Sequence, residues 1–386
     1  MTNNLLLYNG LIPSVRLCGY EQLNYLSEIG KINFQHCATR EITKDQIKNS
    51  DVVFMVRSDS YLEVKLVRIF KKANKYLVYV LDDDLLNVPE GITSSGHYRT
   101  EEVKKRITSI MTLCDCLLSP SKKILEKYGD SFKKTGLIEE PALCYKTASP
   151  KESNQYIKIG FAGSTDRGAD IDSMLTDVIK MVAEKYEDKV KIEFFGAKPK
   201  LFKQLNLAYY PYEDNYEDYQ KKMWELNWDI GLAPMPDTEF HRCKHYNKYI
   251  EYAANNIIGI YSNIYPYTEV VKDGENGFLC NNTKEEWIKK IFYCIENYDK
   301  LDLVRKKIKN NLVEKFTVKK TSDSFAEVIP EVLHYKANPE KLNVNCYLLY
   351  ILKFISFIKK VSDIIRINGV KTPIIVWYKF INYMHK

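Results

Sequence analysis

Two lysines and a glutamate stand at helical spacing in the segment KHYNKYIEYAA (244–254). Lys244, Lys248 and Glu251 are four and then three residues apart, so on a helix they share one face. Ammonium groups neutralise phosphates, and a carboxylate accepts hydrogen bonds from ribose hydroxyls, so this face suits a nucleoside diphosphate. An exposed helix that carries ordinary ion pairs has the same spacing. Spacing alone does not separate the two interpretations.

Two loops that follow predicted strands offer further phosphate contacts. The loop GSTDRGAD (163–170) contains Gly163, which allows close backbone approach, and the donors Ser164 and Arg167. A helix begins nearby, and its first amides favour an anion. A later strand ends at Ser262 and Asn263, whose loop amides can face the same phosphates. The alternative for the first loop, which its residues alone favour, is an ordinary strand-to-helix turn in which Asp170 or Asp172 caps the helix, and the alternative for the second is a tight loop. The chain contains neither G-x-G-x-x-G nor a Walker motif.

Acidic residues at the end of another predicted strand raise the question of a metal. In LDDDL (81–85), Asp82 and Asp84 have the D-x-D spacing of a metal site, but the sequence shows no further ligand. We therefore predict no metal. Asp84, or His97 in the nearby loop SSGHYR, could orient a hydroxyl group for reaction, and we take both as candidate catalytic residues. A helix-capping Asp and a surface His are the alternatives.

The elements that must position these side chains alternate between apolar strands and amphipathic helices. Strands are predicted at 4–10, 51–56, 75–83, 114–118, 156–163, 190–196, 228–234 and 257–262. Helices are predicted at 20–26, 61–72, 101–112, 121–128, 171–186, 218–225, 248–255, 284–298 and 301–314. Continuous apolar strands between helices indicate parallel sheets covered on both faces.

A polar stretch at 146–155 separates two such series. We therefore predict an α/β protein with a first domain at 1–150, a second at 151–330 and a tail at 331–386. Open parallel sheets bind ligands beyond the carboxyl ends of their strands, so the ligand is expected in the cleft between the domains.

The composition excludes several classes of protein. Of 386 residues, 45% are hydrophobic and 28% are charged, as in an ordinary globular protein. No apolar run approaches the roughly 20 residues that span a bilayer. Nine cysteines without C-x-x-C spacing favour a reducing compartment, so we predict a cytoplasmic location. The net charge of +7 resides in residues 341–386, whereas a nucleic-acid binder spreads Lys and Arg over a folded face, so we predict no nucleic-acid partner.

The tail carries two apolar pieces, at 346–360 and 372–383. The first has a helical stripe of Leu348, Ile351, Leu352, Ile355 and Ile358, and the second contains Trp377 and Tyr378. Basic and interfacial aromatic residues suggest helices on an anionic membrane surface, at the inner face of the cell membrane. Packing of the tail against the first domain is the alternative, and the sequence leaves both open.

The segment KHYNKYIEYAA…IYSNIYPYTEVV…GENGF resembles the donor-binding signature of GT-B glycosyltransferases, particularly family 4-like bacterial polysaccharide enzymes. The resemblance covers most of residues 156–320. It implies two Rossmann-like lobes, with a nucleotide sugar bound mainly by the second and the acceptor by the first. LDDDLLNVP also resembles a first-lobe segment of this family that faces the cleft.

The resemblance also implies roles for single residues. By position, Glu251 resembles the family carboxylate that binds the donor ribose. Lys244, Lys248 and Arg167 resemble the cations that neutralise phosphate, while Ser262 and Asn263 resemble the phosphate loop. Many members have a second Glu eight residues before the first, where this chain has Cys243.

The expected activity is therefore sugar transfer from a nucleotide-diphosphate donor to a glycan or lipid-linked glycan in cell-surface polysaccharide assembly. The resemblance implies a retaining, metal-independent reaction without a cofactor. Three alternatives stay open: a metal-dependent transferase that uses Asp82 and Asp84, a non-catalytic membrane-associated protein that binds nucleotide sugars, and a two-lobed epimerase.

Overall fold

The computed structural model describes residues 1–144, 155–203, 205, 207–337 and 346–368, with the backbone alone for residues 203, 346 and 364–368. The predicted boundary at 146–155, apart from residue 155, and the apolar piece at 372–383 lie outside the described residues. The predicted α/β class with two Rossmann-like lobes is confirmed, because the chain forms two six-stranded parallel sheets.

The first sheet has the strand order β2-β1-β3-β4-β5-β6. Its strands are β1 Asn3–Tyr8, β2 Asn33–Ala38, β3 Val52–Val56, β4 Tyr76–Val80, β5 Cys116–Ser119 and β6 Lys134–Leu137. All neighbours are parallel, with Leu6 opposite Phe54 between β1 and β3, for example. The central strands are apolar throughout, as expected for a sheet buried on both faces.

The second sheet has the order β12-β11-β10-β7-β8-β9. Its strands are β7 Ile157–Ala162, β8 Val190–Phe195, β9 Ala208–Tyr210, β10 Ile230–Ala233, β11 Ile258–Ser262 and β12 Phe278–Cys280. Counted from its first strand, this is the order 3-2-1-4-5-6 of a dinucleotide-binding sheet, and the order reverses between β7 and β10.

Helices cover both sheets. In the first lobe these are α1 Pro13–Val15, α2 Glu21–Glu28, α3 Lys44–Asn49, α4 Tyr61–Lys72, α5 Glu101–Met111 and α6 Lys122–Tyr128. The second lobe has α7 Gly168–Met174, α8 Thr176–Lys185, α9 Tyr216–Leu226, α10 Glu239–Arg242, α11 Asn247–Ala254, α12 Tyr267–Val270, α13 Lys284–Glu296 and α14 Asp302–Lys315. The last described helices are α15 Val318–Val328, α16 Glu331–His334 and α17 Cys346–Asn368.

One helix that was predicted to be continuous is interrupted in the structure. The helix expected at 171–186 is two helices, α7 and α8, which meet at Leu175. Leu175 leaves the helical region, with φ −123° and ψ −2°, and its side chain is fully buried. The buried leucine holds this bend because it packs into the apolar cluster of the second lobe.

After α14 the chain returns to the first lobe. Phe325 and Ile329 are buried in the same apolar cluster as residues of β1, β3 and α2. Phe325 lies against Phe54 with ring centroids 5.8 Å apart. The predicted domain bounds at residues 150 and 330 stay predictions, but this packing shows that α15 and α16 are built into the first lobe.

The tail helix α17 also packs on the first lobe. Leu349 is buried in the apolar cluster that includes α4, and Lys353 Nζ donates to the backbone oxygen of Ile42 at 2.7 Å. Within the residues described, no helix has both the length and the apolar character required to cross a membrane.

Candidate functional site

A cleft of about 320 Å³ lies between the two lobes. The first lobe lines it with Pro13, Leu17 and Glu140, and the second lobe with the ends of β7 and β10 and one face of α11. The strand order of the second sheet reverses between β7 and β10, where open α/β sheets bind ligands. Of the eight predicted donor-binding residues, six line this cleft: Gly163, Ser164, Arg167, Lys244, Lys248 and Glu251.

Glycines hold the loops after β7 and β8 against each other. Gly196 has φ +79°, and a Cβ added there would lie 2.2 Å from the backbone oxygen of Gly163. A Cβ on Gly168 would lie 2.9 Å from the backbone oxygen of Lys198. Only glycine allows both backbone contacts, and they fix the loop that carries Ser164 at the mouth of the cleft.

Helix α11 presents Lys248 and Glu251 to the cleft because its other face is buried. Tyr249 and Tyr252 pack into a second apolar cluster of the second lobe. Lys248 Nζ donates to Glu251 Oε1 at 2.7 Å. The i, i+3 ion pair, which the sequence offered as the alternative to donor binding, is therefore formed, and it lies at the wall of the cleft.

Tyr219 of α9 holds the carboxylate from the other side. Its hydroxyl donates to Glu251 Oε2 at 2.9 Å, and Lys248 Nζ donates to the Tyr219 hydroxyl oxygen at 3.2 Å. Burial and the neighbouring carboxylate raise the pKa of Tyr219 well above its ordinary value, so it stays a donor. Its ring stacks on Phe195 with centroids 4.9 Å apart. Glu251 is thus fixed by two donors before any ligand arrives.

Lys244 connects the two lobes. Its Nζ lies 2.8 Å from Asp83 Oδ1 of the first lobe, while Arg57 Nη2 donates to Asp83 Oδ2 at 2.8 Å. Burial disfavours the charged carboxylate, but Lys244 and Arg57 together lower the pKa of Asp83 below its ordinary value. A cation of the cleft is therefore paired with the opposite lobe.

A nearby histidine, His241, is buried close to the cations Arg167 and Lys244. Burial, and then Arg167 and Lys244, lower the pKa of His241 to about 4. Arg167 is itself held by Asp170, at 2.6 Å, and by the backbone oxygen of Pro234 at the end of β10. The acids Glu213 and Asp214 also line the cleft. The positive charge of the cleft is therefore confined to the wall near Arg167 and Lys244.

The two residues predicted to form a phosphate loop do not line the cleft. Ser262 is fully buried; its hydroxyl donates to Asn282 Oδ1 at 2.6 Å and accepts from the Met235 amide at 2.8 Å. Asn263 Nδ2 donates to Asn281 Oδ1 at 3.0 Å on the surface. Both side chains hold the loop after β11, and the predicted contact of the loop amides with phosphate stays a prediction.

The two candidate catalytic residues also lie away from the lining of the cleft. Asp84 is buried and receives hydrogen bonds from Lys127, at 2.9 Å, and from Asn87 and Tyr128. His97 Nε2 lies 3.0 Å from Asp59 Oδ2. These contacts are those of residues that hold the first lobe together, and the catalytic role of Asp84 and His97 stays a prediction.

The two carboxylates of the D-x-D pair, Asp82 and Asp84, likewise form ion pairs with basic side chains. Both oxygens of Asp82 face the Arg57 guanidinium, at 2.5 and 2.7 Å, and Asp84 faces Lys127. Among the described residues, no three side chains of His, Cys, Asp or Glu come together as a metal site.

Sequence reasoning missed Glu140, the carboxylate that the first lobe contributes to the cleft. It is 1% exposed, and Cys18 Sγ donates to its Oε1 at 3.2 Å. The buried His245 lies 3.8 Å from both Glu139 and Glu140. Burial opposes its charge, but Glu140 and Glu139 raise the pKa of His245 to about 10. Two acids directly before Pro141 were the available signal, but the edge strand β6 that they follow was not predicted.

Cys243 occupies the position at which the resemblance implies a second Glu. It is 3% exposed and, with Phe240, packs into the apolar cluster of the first lobe. Burial, followed by the charge of Asp84, raises the pKa of its thiol to about 11. The segment from α10 to Lys244 is thus an apolar contact between the lobes, and it supplies no carboxylate to the cleft.

Comparison with solved structures places this architecture among known folds. HepE of Anabaena, solved with UDP and glucose, superimposes with a TM-score of 0.58 at 12% identity over 86% of this chain and 100% of that chain. Sucrose-phosphate synthase of Thermosynechococcus elongatus gives 0.59 at 10% identity over 86% and 99%. TarM gives 0.55 at 14% identity over 80% of this chain and 57% of its own length. The chain has the GT-B fold.

The GT-B assignment confirms the fold that the resemblance implied. It rests on architecture, because no family model and no curated protein sequence matches the chain. In this GT-B chain the interlobe cleft carries Arg167, Lys244, Lys248 and Glu251 at the switch point of the second sheet.

Proposed function

We propose that this protein is a glycosyltransferase that uses a nucleotide-diphosphate sugar as its donor. One observation carries the proposal: Arg167, Lys244, Lys248 and Glu251 converge on the interlobe cleft. The cations suit a diphosphate, and the preorganised carboxylate of Glu251 suits the ribose hydroxyls. HepE, which shares the fold, has been solved with UDP-glucose, which supports a nucleotide sugar as the donor here.

The chemistry follows from these groups. Transfer breaks the bond between the sugar C1 and the diphosphate oxygen, and that oxygen takes the bonding electrons. A hydroxyl oxygen of the acceptor forms the new bond to C1, and its proton leaves to the departing phosphate or to solvent. Fixed cations stabilise the charge that develops on the leaving diphosphate. Retention of configuration is part of the proposal on the strength of the family resemblance.

The acceptor is proposed to enter from the first-lobe side, where Pro13, Leu17 and Glu140 line the cleft. The acceptor would be a glycan or a lipid-linked glycan of the cell surface. TarM, another protein with this fold, has been solved with α-GlcNAc-glycerol and UDP, which supports a hydroxyl-bearing acceptor. Free thiols at all eight cysteines whose side chains are described support a reducing, cytoplasmic location.

A non-catalytic protein that binds nucleotide sugars is the second candidate. The observation that favours it is Cys243, which is buried where many relatives of the resembled family have a carboxylate. The two candidates predict the same donor binding and differ only in turnover. The metal-dependent alternative has less support, because Asp82 and Asp84 are paired with Arg57 and Lys127.

The test is a panel of nucleotide sugars screened by thermal unfolding and then by turnover. A donor that binds the folded state at 100 times its Kd adds about 2.7 kcal/mol of stability, which gives a clear shift in Tm. We expect one donor to raise Tm. Release of the nucleoside diphosphate from that donor should require an acceptor, and it should continue when EDTA is added. Binding without turnover against a panel of glycan acceptors would favour the second candidate. A panel in which no donor raises Tm would refute both.

A further inference from the structure

Helix α17 has one packed face and one solvent-facing apolar face. Its packed face contains Leu349, which is 6% exposed, and Ser356, whose hydroxyl accepts from the Leu62 amide at the start of α4. Asp363 Oδ2 accepts from Arg106 Nη2 of α5 at 2.8 Å. These contacts fix which side of the helix is turned to solvent.

The solvent-facing side is apolar and aromatic. Tyr347, Tyr350, Phe354 and Ile358 are 73%, 70%, 57% and 52% exposed, at helical spacings of three, four and four residues. Leu348 is exposed beside them at 51%. Within the described residues, 14 large apolar side chains are exposed, and five of them are on this one helix. A stripe of this kind in a monomer marks an interaction surface.

The charges of the tail select the partner. Residues 341–386 contain eight basic residues and a single acid, Asp363, and that acid is turned inward to Arg106. On α17, Lys359 and Lys360 are exposed, and Lys359 Nζ lies 5.8 Å from the ring centroid of Tyr61 in α4. The outer face of the helix is therefore apolar, within a segment that is basic. A second copy of the chain would bring two such basic tails together, whereas an anionic lipid surface complements both the apolar and the basic groups.

We propose that the face of α17 formed by Tyr347, Tyr350, Phe354 and Ile358 binds the surface of an anionic lipid bilayer, with the helix in the plane of the interface. The proposal is compatible with the observed packing of the tail, because packing on the first lobe and membrane contact use opposite sides of the same helix. The proposal does not depend on the transferase activity, since it concerns lipid binding alone.

The test is flotation of the full chain with vesicles of phosphatidylglycerol and phosphatidylcholine, compared with vesicles of phosphatidylcholine alone. We expect binding to the anionic vesicles that weakens with added salt. The double variant Phe354→Glu/Ile358→Glu should bind at least about tenfold more weakly, because two apolar anchors are lost. Lys359→Glu/Lys360→Glu should lose the preference for anionic vesicles.

The matched control is Leu303→Glu/Val313→Glu on α14, where the two side chains are 64% and 55% exposed. This control should float as the unchanged chain does, and unchanged Tm values would show that each variant is folded. Absence of flotation by the unchanged chain would overturn the proposal. So would undiminished flotation of Phe354→Glu/Ile358→Glu, which would place the lipid contact elsewhere. A dimer in sedimentation that this variant abolishes, without vesicle binding, would show that a second copy covers the face.

Discussion

Removal of the Glu251 carboxylate should weaken donor binding far more than it weakens the fold. Glu251 accepts hydrogen bonds from Lys248 and Tyr219 and lines the cleft. If it binds ribose hydroxyls, Glu251→Ala removes a hydrogen bond to a charged group, which contributes about 1.5–3 kcal/mol. At about 1.4 kcal/mol for each tenfold change, the nucleoside diphosphate should bind roughly 10- to 150-fold more weakly.

The cost to stability should be much smaller. The side chains of Lys248 and Glu251 are 24% and 22% exposed, and partly solvated ion pairs contribute roughly 0–1 kcal/mol. Lys248→Ala should likewise weaken binding by removing a phosphate cation, with little change in Tm. Isothermal titration calorimetry with the nucleoside diphosphate of the best-binding donor separates the two effects, and Glu251→Gln tests the carboxylate with its shape retained.

Lys290 provides a matched control. It forms an ion pair with Asp273 at 2.7 Å, the distance of the Lys248–Glu251 pair, but it does not line the cleft. Lys290→Ala should leave the affinity unchanged. Folded Glu251→Ala and Lys248→Ala variants that both bind the nucleotide as tightly as the unchanged chain would refute the assignment of this wall to the donor.

Three further predictions concern the lobes and the core. Asp83→Asn should release Lys244 and strengthen diphosphate binding roughly two- to tenfold, as measured by calorimetry. His245, whose pKa is raised to about 10, contributes stability that is fully present below its unfolded pKa of about 6.5. Thermal unfolding should therefore show stability lost as pH rises from 6.5 to 10, and His245→Gln should flatten that slope. Gly160→Ala should lower the free energy of unfolding, measured with denaturant, by at least about 1–3 kcal/mol, because a Cβ added at Gly160 would lie 1.8 Å from the Trp228 ring.

Each of these predictions has a control or a contrary outcome. Weaker diphosphate binding in folded Asp83→Asn would mean that Asp83 positions Lys244 for the ligand and does not compete with it. Equal pH slopes with and without His245 would assign the alkaline loss of stability to other groups. Gly91→Ala is the control for Gly160, because no atom lies within 4 Å of a Cβ added there. Equal stability of the two alanine variants would show that the Trp228 ring can move aside.

The sequence predicted the centres of both sheets and missed their edges. All eight predicted strands are present, and the four missed strands, β2, β6, β9 and β12, are the edge strands of the two sheets. Central strands are buried on both faces and form continuous apolar runs, which the sequence shows directly. An edge strand has one neighbour and can be short and polar: β2 reads NFQHCA with no fully buried residue, and β12 has three residues.

Within the site, local spacing was predictable and long-range pairing was not. Lys248 and Glu251 face one way because helix geometry fixes their relation. Tyr219 reaches Glu251 across 32 residues of sequence, and Asp83 reaches Lys244 across 161. The first contact depends on how two helices of one lobe pack and the second on how the two lobes meet, and no local pattern encodes either. The same limit explains Asp84, whose carboxylate follows a strand end as expected but is held by Lys127 from another helix.

The pairing of Lys244 gives donor binding a means to act on the interface between the lobes. Asp83 contacts two cations, Arg57 and Lys244, each at 2.8 Å, and Arg57 also pairs with Asp82. If a diphosphate draws Lys244 away, Arg57 still donates to Asp83, but one carboxylate charge of the pair Asp82 and Asp83 loses its counter-ion, so the exchange costs free energy. The apolar contact of Phe240 and the first lobe can persist during this exchange, because Phe240 is buried in the apolar cluster of that lobe, even though Lys244 Nζ also lies 4.6 Å from its ring centroid. Donor binding would then loosen one polar contact between the lobes while their apolar contact keeps the lobes together. The diphosphate affinity of Asp83→Asn, compared with that of the unchanged chain, measures the free energy of moving Lys244 from Asp83 to the diphosphate.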